Sequence, residues 1–224
     1  MSERSAEILH GREVENHKII VPEFHLIEGC MYATKTGTLI NSVDRQIRSG
    51  RTAVLFKPEL DNRWGLMEEI GSHDGRKMVA NMLPSNMPSA MIDIIHTSGE
   101  KIKVVGIDEI QFFSGGNKGI VETVRYMVDR MGLIVYGAGL FTDFRGESFG
   151  QMHNLADEAD NITHVRAVCV KCGNDASRTQ RIVNGKPANY NDPIVLIGAD
   201  EAYEARCRHC HDVPGKPEPG WFNE

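Results

Sequence analysis

Three groups of residues in this chain have types and spacings that do chemistry. The first is Gly29-Cys30-Met31-Tyr32-Ala33-Thr34-Lys35-Thr36. It is close to the G-x-x-x-x-G-K-[ST] loop, whose backbone N–H groups cradle phosphates while its lysine reaches the β/γ-phosphates and its hydroxyl binds Mg²⁺. The second is Asp108-Glu109, two adjacent carboxylates followed by Gln111, Phe112 and Phe113. A carboxylate pair suits metal binding by one member and proton acceptance by the other. The third is Cys169, Cys172, Cys207 and Cys210, two Cys-x-x-Cys pairs with the spacing of a zinc ribbon. Four thiolates complete a tetrahedral Zn²⁺ shell and leave no open position, so that metal would be structural. The first two groups have plainer alternatives: a βα turn with an exposed lysine, and a helix N-cap followed by a solvated glutamate.

The surrounding sequence supplies the elements that would position them. Lys18 to Glu28 reads as a strand running into the glycine loop, and Leu39, Ile40, Val43 and Ile47 repeat at helical spacing after it. Strand, loop, helix is the setting a phosphate loop requires. A second strand spans Arg51 to Lys57, with Pro58 as its stop. Val104 to Ile107 is a short apolar run with β-branched residues, the pattern of a buried central strand, and Asp108 and Glu109 fall at its carboxyl end. Ligands of parallel sheets bind at such ends. Asn117 to Met131 is amphipathic and Leu133 to Tyr136 is again a buried strand, so the pattern predicts an α/β fold with a parallel sheet flanked by helices. Between the second and central strands, Asp61, Arg63 and Ser72-His73-Asp74-Gly75 read as polar loop; Arg63 is of a type that can hold an anion in a bidentate grip. Met78 to Pro88 reads as connection and packing. After Ala167 the composition turns loop-rich, with Asn184-Gly185 as a hairpin signal and a long excursion through Ile194, Val195, Leu196, Ile197 and Gly198 between the cysteine pairs.

These readings divide the chain into a flexible extension over 1–17, an α/β part over 18–166 and a zinc-binding lobe over 167–224. The 224 residues carry a formal charge of -6, which disfavours a dedicated nucleic-acid binder. No run approaches a membrane span and the first residues have no apolar signal core. Paired cysteines without an export signal favour metal over disulfides and a cytoplasmic location.

Taken together, the stretches Gly29 to Thr36, Phe56 to Arg63, Ser72 to Gly75, Val105 to Phe113 and Leu140 to Gly150, with the four cysteines and the excursion between them, resemble the type II, zinc-containing thymidine kinases. The resemblance runs from about Phe24 to Pro214. It implies a P-loop-type fold with a zinc-ribbon lobe carrying a lasso, and transfer of the γ-phosphate of ATP to the 5′-hydroxyl of thymidine or deoxyuridine. It implies Glu109 as general base, and Lys35, Thr36 and Asp108 as phosphate and magnesium residues, beside the loop residues Gly29 to Thr34, with Asp61 and Arg63 near the transferred phosphate. Gln111 and Phe112, just past the acidic pair, would line an acceptor pocket, and the resemblance further implies a nucleoside pocket walled by Met31, Phe112, Leu140, Phe144, Thr179 and Tyr203, with Ile194 to Gly198 reading the base edge through backbone atoms. A homotetramer inhibited by dTTP would follow as well.

Two residues depart from the family pattern. Thr34 stands where the loop has its second glycine, and Thr38 where many relatives carry Glu. A loop that needs φ > 0 at Thr34 would be strained by a β-branched residue. This favours, as a rival, a nucleoside or dTTP binder with weakened donor chemistry. A zinc-ribbon nucleic-acid module on an ATPase is the other rival, disfavoured by the acidic charge.

Overall fold

The computed structural model describes residues 8–10, 20–59, 69–71, 77–116, 119–195 and 201–218. In chain order its elements are β1 (Glu23–Glu28), α1 (Lys35–Arg48), β2 (Thr52–Glu59), β3 (Glu69–Gly71), β4 (Lys77–Val79), β5 (Asn81–Pro84), α2 (Ala90–Thr97), β6 (Ile102–Ile107), α3 (Ile120–Asp129), β7 (Ile134–Gly139), α4 (Met152–Glu158) and β8 (Asn161–His164). The short strands β9 (Ala167–Val168), β10 (Asp175–Ala176), β11 (Arg178–Val183), β12 (Lys186–Pro187) and β13 (Glu201–Arg206) follow.

Six strands form one sheet in the order β5-β2-β6-β7-β1-β8. Every neighbouring pair in it runs parallel. Side chains alternate across its faces, as the strand period of two requires. Val54, Phe56, Val105, Ile107 and Val135 pack on one face with Met91 and Ile95 of α2, Ile120, Val124 and Met127 of α3, and Met152 and Leu155 of α4. Ala53, Leu55, Val104 and Ile134 pack on the other with Leu39, Ile40 and Val43 of α1. Burying each of these larger side chains stabilises the fold by roughly 2 kcal/mol. Gly106 lies where α1 crosses the central strand: a Cβ there would sit 3.0 Å from Leu55 and 3.2 Å from Val43. The predicted parallel sheet flanked by helices is the architecture observed.

Several expectations need correction. β1 starts at Glu23, so the strand is shorter than the Lys18 start predicted; Val21 is 63% exposed and has no sheet to pack on. Pro58 does not stop β2, which continues to Glu59. Beyond Phe56 its partner β6 has ended and only β5 remains beside it, with Pro58 opposite Leu83. At such a one-sided position a residue without an N–H is tolerated. Met78 to Pro88 is not mere connection, since it holds β4 and the edge strand β5. Within the stretch expected to be flexible, Leu9 pairs antiparallel with Ala53, exchanging hydrogen bonds of 2.8 and 2.9 Å.

The remaining strands make small antiparallel sheets: β9 with β10, and β12-β11-β13. Asn184 and Gly185, with φ of 50° and 74°, form the tight turn between β11 and β12 that the sequence signalled. The β3–β4 hairpin pairs Glu69 to Gly71 with Lys77 to Val79.

Candidate active site

The loop after β1 curls around the carbonyl of Cys30. That oxygen accepts the Ala33 N–H at 3.3 Å and the Lys35 ammonium at 2.8 Å. Lys35 is buried, which pulls its pKa down against the attraction of Glu109, the Cys30 thiol and Asp108. Tyr32 and Thr34 both take left-handed backbone, at φ 64° and 59°. Thr34 is therefore in the conformation that a glycine would adopt without strain, and its side chain makes no capping bond to α1. Its carbonyl instead takes the Thr38 N–H and hydroxyl, at 2.9 and 3.1 Å. The first turn of α1 carries no acidic residue, so the positive end of the helix dipole is left for an anion.

The acidic pair meets this loop directly. The Thr36 hydroxyl lies 3.1 and 3.2 Å from the two Asp108 carboxylate oxygens. Asp108 is 4% exposed; burial, with the charge of Glu109, pushes its pKa up to about 7, opposed by Lys57 and by the Thr36 hydrogen bond. A hydroxyl and a buried carboxylate at a helix N-terminus are hard oxygen donors, and the site gains when a cation offsets the carboxylate charge. These residues fit Mg²⁺ carried in with phosphates.

Glu109 sits at φ 49°, at the head of a single 3-10 turn over Ile110–Phe112. The Gln111 amide donates to its carboxylate at 2.6 Å and accepts the Leu140 N–H at 3.1 Å. Gln111 is thus buried and committed to protein partners, whereas the sequence pointed to it as a pocket wall. Its hydrogen-bonding groups serve to orient Glu109. Glycines enforce the arrangement: a Cβ at Gly139 would lie 2.5 Å from the Gln111 side-chain oxygen, and one at Gly150 would lie 2.3 Å from its backbone oxygen. Phe112 is half-buried and packs edge-on to Phe149, with centroids 5.2 Å apart.

Four more of the expected pocket residues are linked through β11. The Met31 N–H donates to the Thr179 hydroxyl at 3.1 Å, joining the phosphate loop to β11. Two residues along the same face of β11, Arg181 lies over the ring of Phe144 at 5.2 Å and donates to the Pro193 carbonyl. Arg181 is 1% exposed, and Tyr203 lies opposite it on β13. The sequence offered no signal for Arg181, because a charged residue in a short strand reads as surface. Ile194 and Val195 are exposed. Asp61, Arg63, Ser72 to Gly75, Leu196, Ile197 and Gly198 lie outside the described residues.

The four cysteines converge as their spacing predicts. Their sulfur atoms all lie within 4.8 Å of one another, with Cys172 and Cys207 at 3.6 Å. Tetrahedral Zn–S bonds of about 2.3 Å put sulfurs about 3.8 Å apart, so the cluster fits the ion closely. Burial raises the Cys169 pKa, but the backbone N–H groups of Cys207, Lys171 and Cys172 outweigh it and bring the thiol down to about 6. The turns are tight: the Gly173 N–H reaches the Cys169 carbonyl at 2.9 Å, and that of Cys210 reaches Cys207 at 3.1 Å. His211 is half-buried with Nε2 2.8 Å from the Phe144 carbonyl. Among the described residues no helix is long and apolar enough to cross a membrane.

Comparison with known families agrees with this assembly: the family model described as Thymidine kinase matches residues 22–211.

Proposed function

The chain belongs to the thymidine kinase family, and from that premise we propose that it transfers the γ-phosphate of ATP to the 5′-hydroxyl of thymidine or deoxyuridine, a salvage route to the nucleotide. One observation supports this reading above the others: the Thr36 hydroxyl against the Asp108 carboxylate, which brings the phosphate loop and the acidic strand end into one centre. In this reading the N–H groups of Gly29 to Thr34 and the α1 N-terminus hold the triphosphate, and Lys35 moves from the Cys30 carbonyl onto its β/γ oxygens. Thr36 and Asp108 hold the Mg²⁺, which when bound neutralises charge that develops between the phosphates. Glu109, fixed by Gln111, accepts the proton as the 5′-oxygen bonds to phosphorus and ADP departs with the bridging oxygen. Met31, Phe112, Leu140, Phe144, Thr179 and Tyr203 wall the nucleoside, and Ile194 to Gly198 read the base edge through backbone atoms. Asp61 and Arg63 belong near the transferred phosphate. The four cysteines hold a structural zinc. Feedback inhibition by dTTP and a homotetramer complete the proposal on resemblance alone, and a cytoplasmic location on the metal-spaced cysteines.

Incubation of the zinc-loaded protein with Mg-ATP and labelled thymidine tests it: labelled thymidine monophosphate with one ADP per turnover is expected. Thymidine binding without transfer would contradict the kinase reading. Thr34 supports a second reading in which donor binding is weakened, since its φ of 59° is a conformation that costs an L-residue roughly 1–2 kcal/mol. Thr34→Gly is then expected to tighten Mg-ATP several-fold and stabilise the fold by about 1 kcal/mol, read by calorimetry. An unchanged Mg-ATP affinity would show that the loop carries threonine at no functional cost.

A further inference from the structure

The phosphate loop and the four-cysteine centre share one small core. Cys30 and Ala33 of the loop are buried in a single cluster with Cys169, Ala176 and Ala205, and Cys207, Cys210, Val165 and Ala167 pack against it. Directional contacts reinforce the packing. The Cys30 thiol donates to the Ala176 carbonyl at 3.3 Å, and the Met31 N–H donates to the Thr179 hydroxyl at 3.1 Å. Gly29 approaches so closely that a Cβ there would lie 2.4 Å from the Val165 carbonyl. The strands that receive these contacts, β10 and β11, pair with β9 and β13, which lead into the metal turns: β9 ends beside Cys169, and β13 ends at Arg206 beside Cys207.

We propose that the zinc centre sets the shape of the 29–34 loop and is thereby coupled to nucleotide binding, with Cys30 and Thr179 as the positioning residues that carry the coupling. A loop with left-handed backbone at Tyr32 and Thr34 persists only where its surroundings over-determine it. Here those surroundings are the walls of the zinc lobe, whose four cysteine sulfurs, within 4.8 Å of one another, one ion would tie together. Releasing zinc therefore frees the Ala176 and Thr179 partners, and the loop loses its pre-formed cradle. Coupling between binding sites is reciprocal, so bound nucleotide must strengthen zinc retention by the factor by which zinc strengthens nucleotide binding.

The inference rests on the kinase reading only for the identity of the nucleotide. Amide hydrogen exchange in the full chain, zinc-loaded and chelator-stripped, tests the loop without any nucleotide. Exchange over residues 29–34 is expected to rise at least ~10-fold on stripping, while the 102–107 and 134–139 strands stay protected. Zinc-loaded Cys30→Ala and Thr179→Val should show the same local rise with their metal retained, and Cys30→Ser should restore protection by restoring a donor to Ala176. In equilibrium competition with a chromophoric chelator, saturating Mg-ATP should raise apparent zinc affinity by about the same factor by which zinc tightens Mg-ATP. A loop that stays protected in stripped protein, or in both loaded variants should stripping unfold the chain, would overturn the proposal. So would a zinc affinity that Mg-ATP binds without changing. Loop protection that follows zinc in a protein that binds no Mg-ATP would uphold the loop coupling and refute the kinase reading.

Discussion

Asp108 and Glu109 are consecutive, yet their surroundings differ. Asp108 is buried against Thr36 at the end of the central strand, whereas Glu109 turns outward through left-handed backbone and is caught by Gln111. The raised Asp108 pKa has a consequence for stability. The folded protein holds that proton up to about pH 7, while the unfolded chain releases it near its ordinary value of about 4. Folding therefore takes up a proton in that window, and the contribution of Asp108 to stability falls as pH rises from about 4 through 7. In metal-free protein Asp108→Asn, which keeps an oxygen for Thr36, is expected to melt higher than the parent at pH 8 and to lose that advantage below about pH 4. Melting curves across this range check it; an equal or lower melting point at pH 8 contradicts it. The meeting of the phosphate loop with the acidic strand end, Thr36 against Asp108, was legible from residue type and spacing alone. The commitment of Gln111 was not, because whether an amide faces ligand or protein depends on the Leu140 N–H, just past β7 and 29 residues away.

At the scale of elements, the parallel sheet was readable because Val104 to Ile107 and Leu133 to Tyr136 are short apolar runs separated by helical periodicity. The edge strand β5 was not, since Asn81 to Pro84 carries two ordinary strand breakers and pairs on one side only. The junction of β7, the 3-10 turn and the 140–150 loop is the element pairing that aims Glu109. Gly139→Ala tests it, because the new methyl would meet the Gln111 oxygen and Ile110 at 2.5 and 2.9 Å. The expected cost is about 1–3 kcal/mol of stability by denaturant unfolding, the usual effect of overpacking. A fall of ~10-fold or more in kcat with thymidine affinity retained should accompany it. Full activity would show that Glu109 does not depend on Gln111.

Across the whole molecule, the C-terminal lobe touches both the phosphate loop and the 140–150 loop. The 140–150 loop is pinned to the lobe at several points: Tyr190 donates to Glu147 at 2.8 Å, Arg145 lies 5.3 Å from the Tyr190 ring, His211 holds the Phe144 carbonyl, and Arg181 supports the Phe144 ring from behind. The four-cysteine cluster was plain in the sequence because cysteine spacing encodes a tight turn. These lobe contacts were not, since they join residues tens of positions apart with no local pattern. Arg181→Met keeps the length of the side chain and removes the bond to Pro193, the last residue before the Ile194 to Gly198 excursion. It is expected to raise KM for thymidine by ~10-fold or more and leave KM for ATP near the parent value. Equal changes in both would place Arg181 in general folding rather than in the nucleoside wall.

The central claim, that this site moves phosphate with Glu109 as its base, is tested most directly by single-turnover transfer from Mg-ATP to labelled thymidine in the parent and in Glu109→Gln. The exchange keeps the shape and the contact with Gln111 but removes the proton acceptor. Transfer in the parent, with a loss of at least ~10²-fold in the variant at unchanged thymidine affinity, is the predicted result. A variant that transfers phosphate at the rate of the parent would contradict the account.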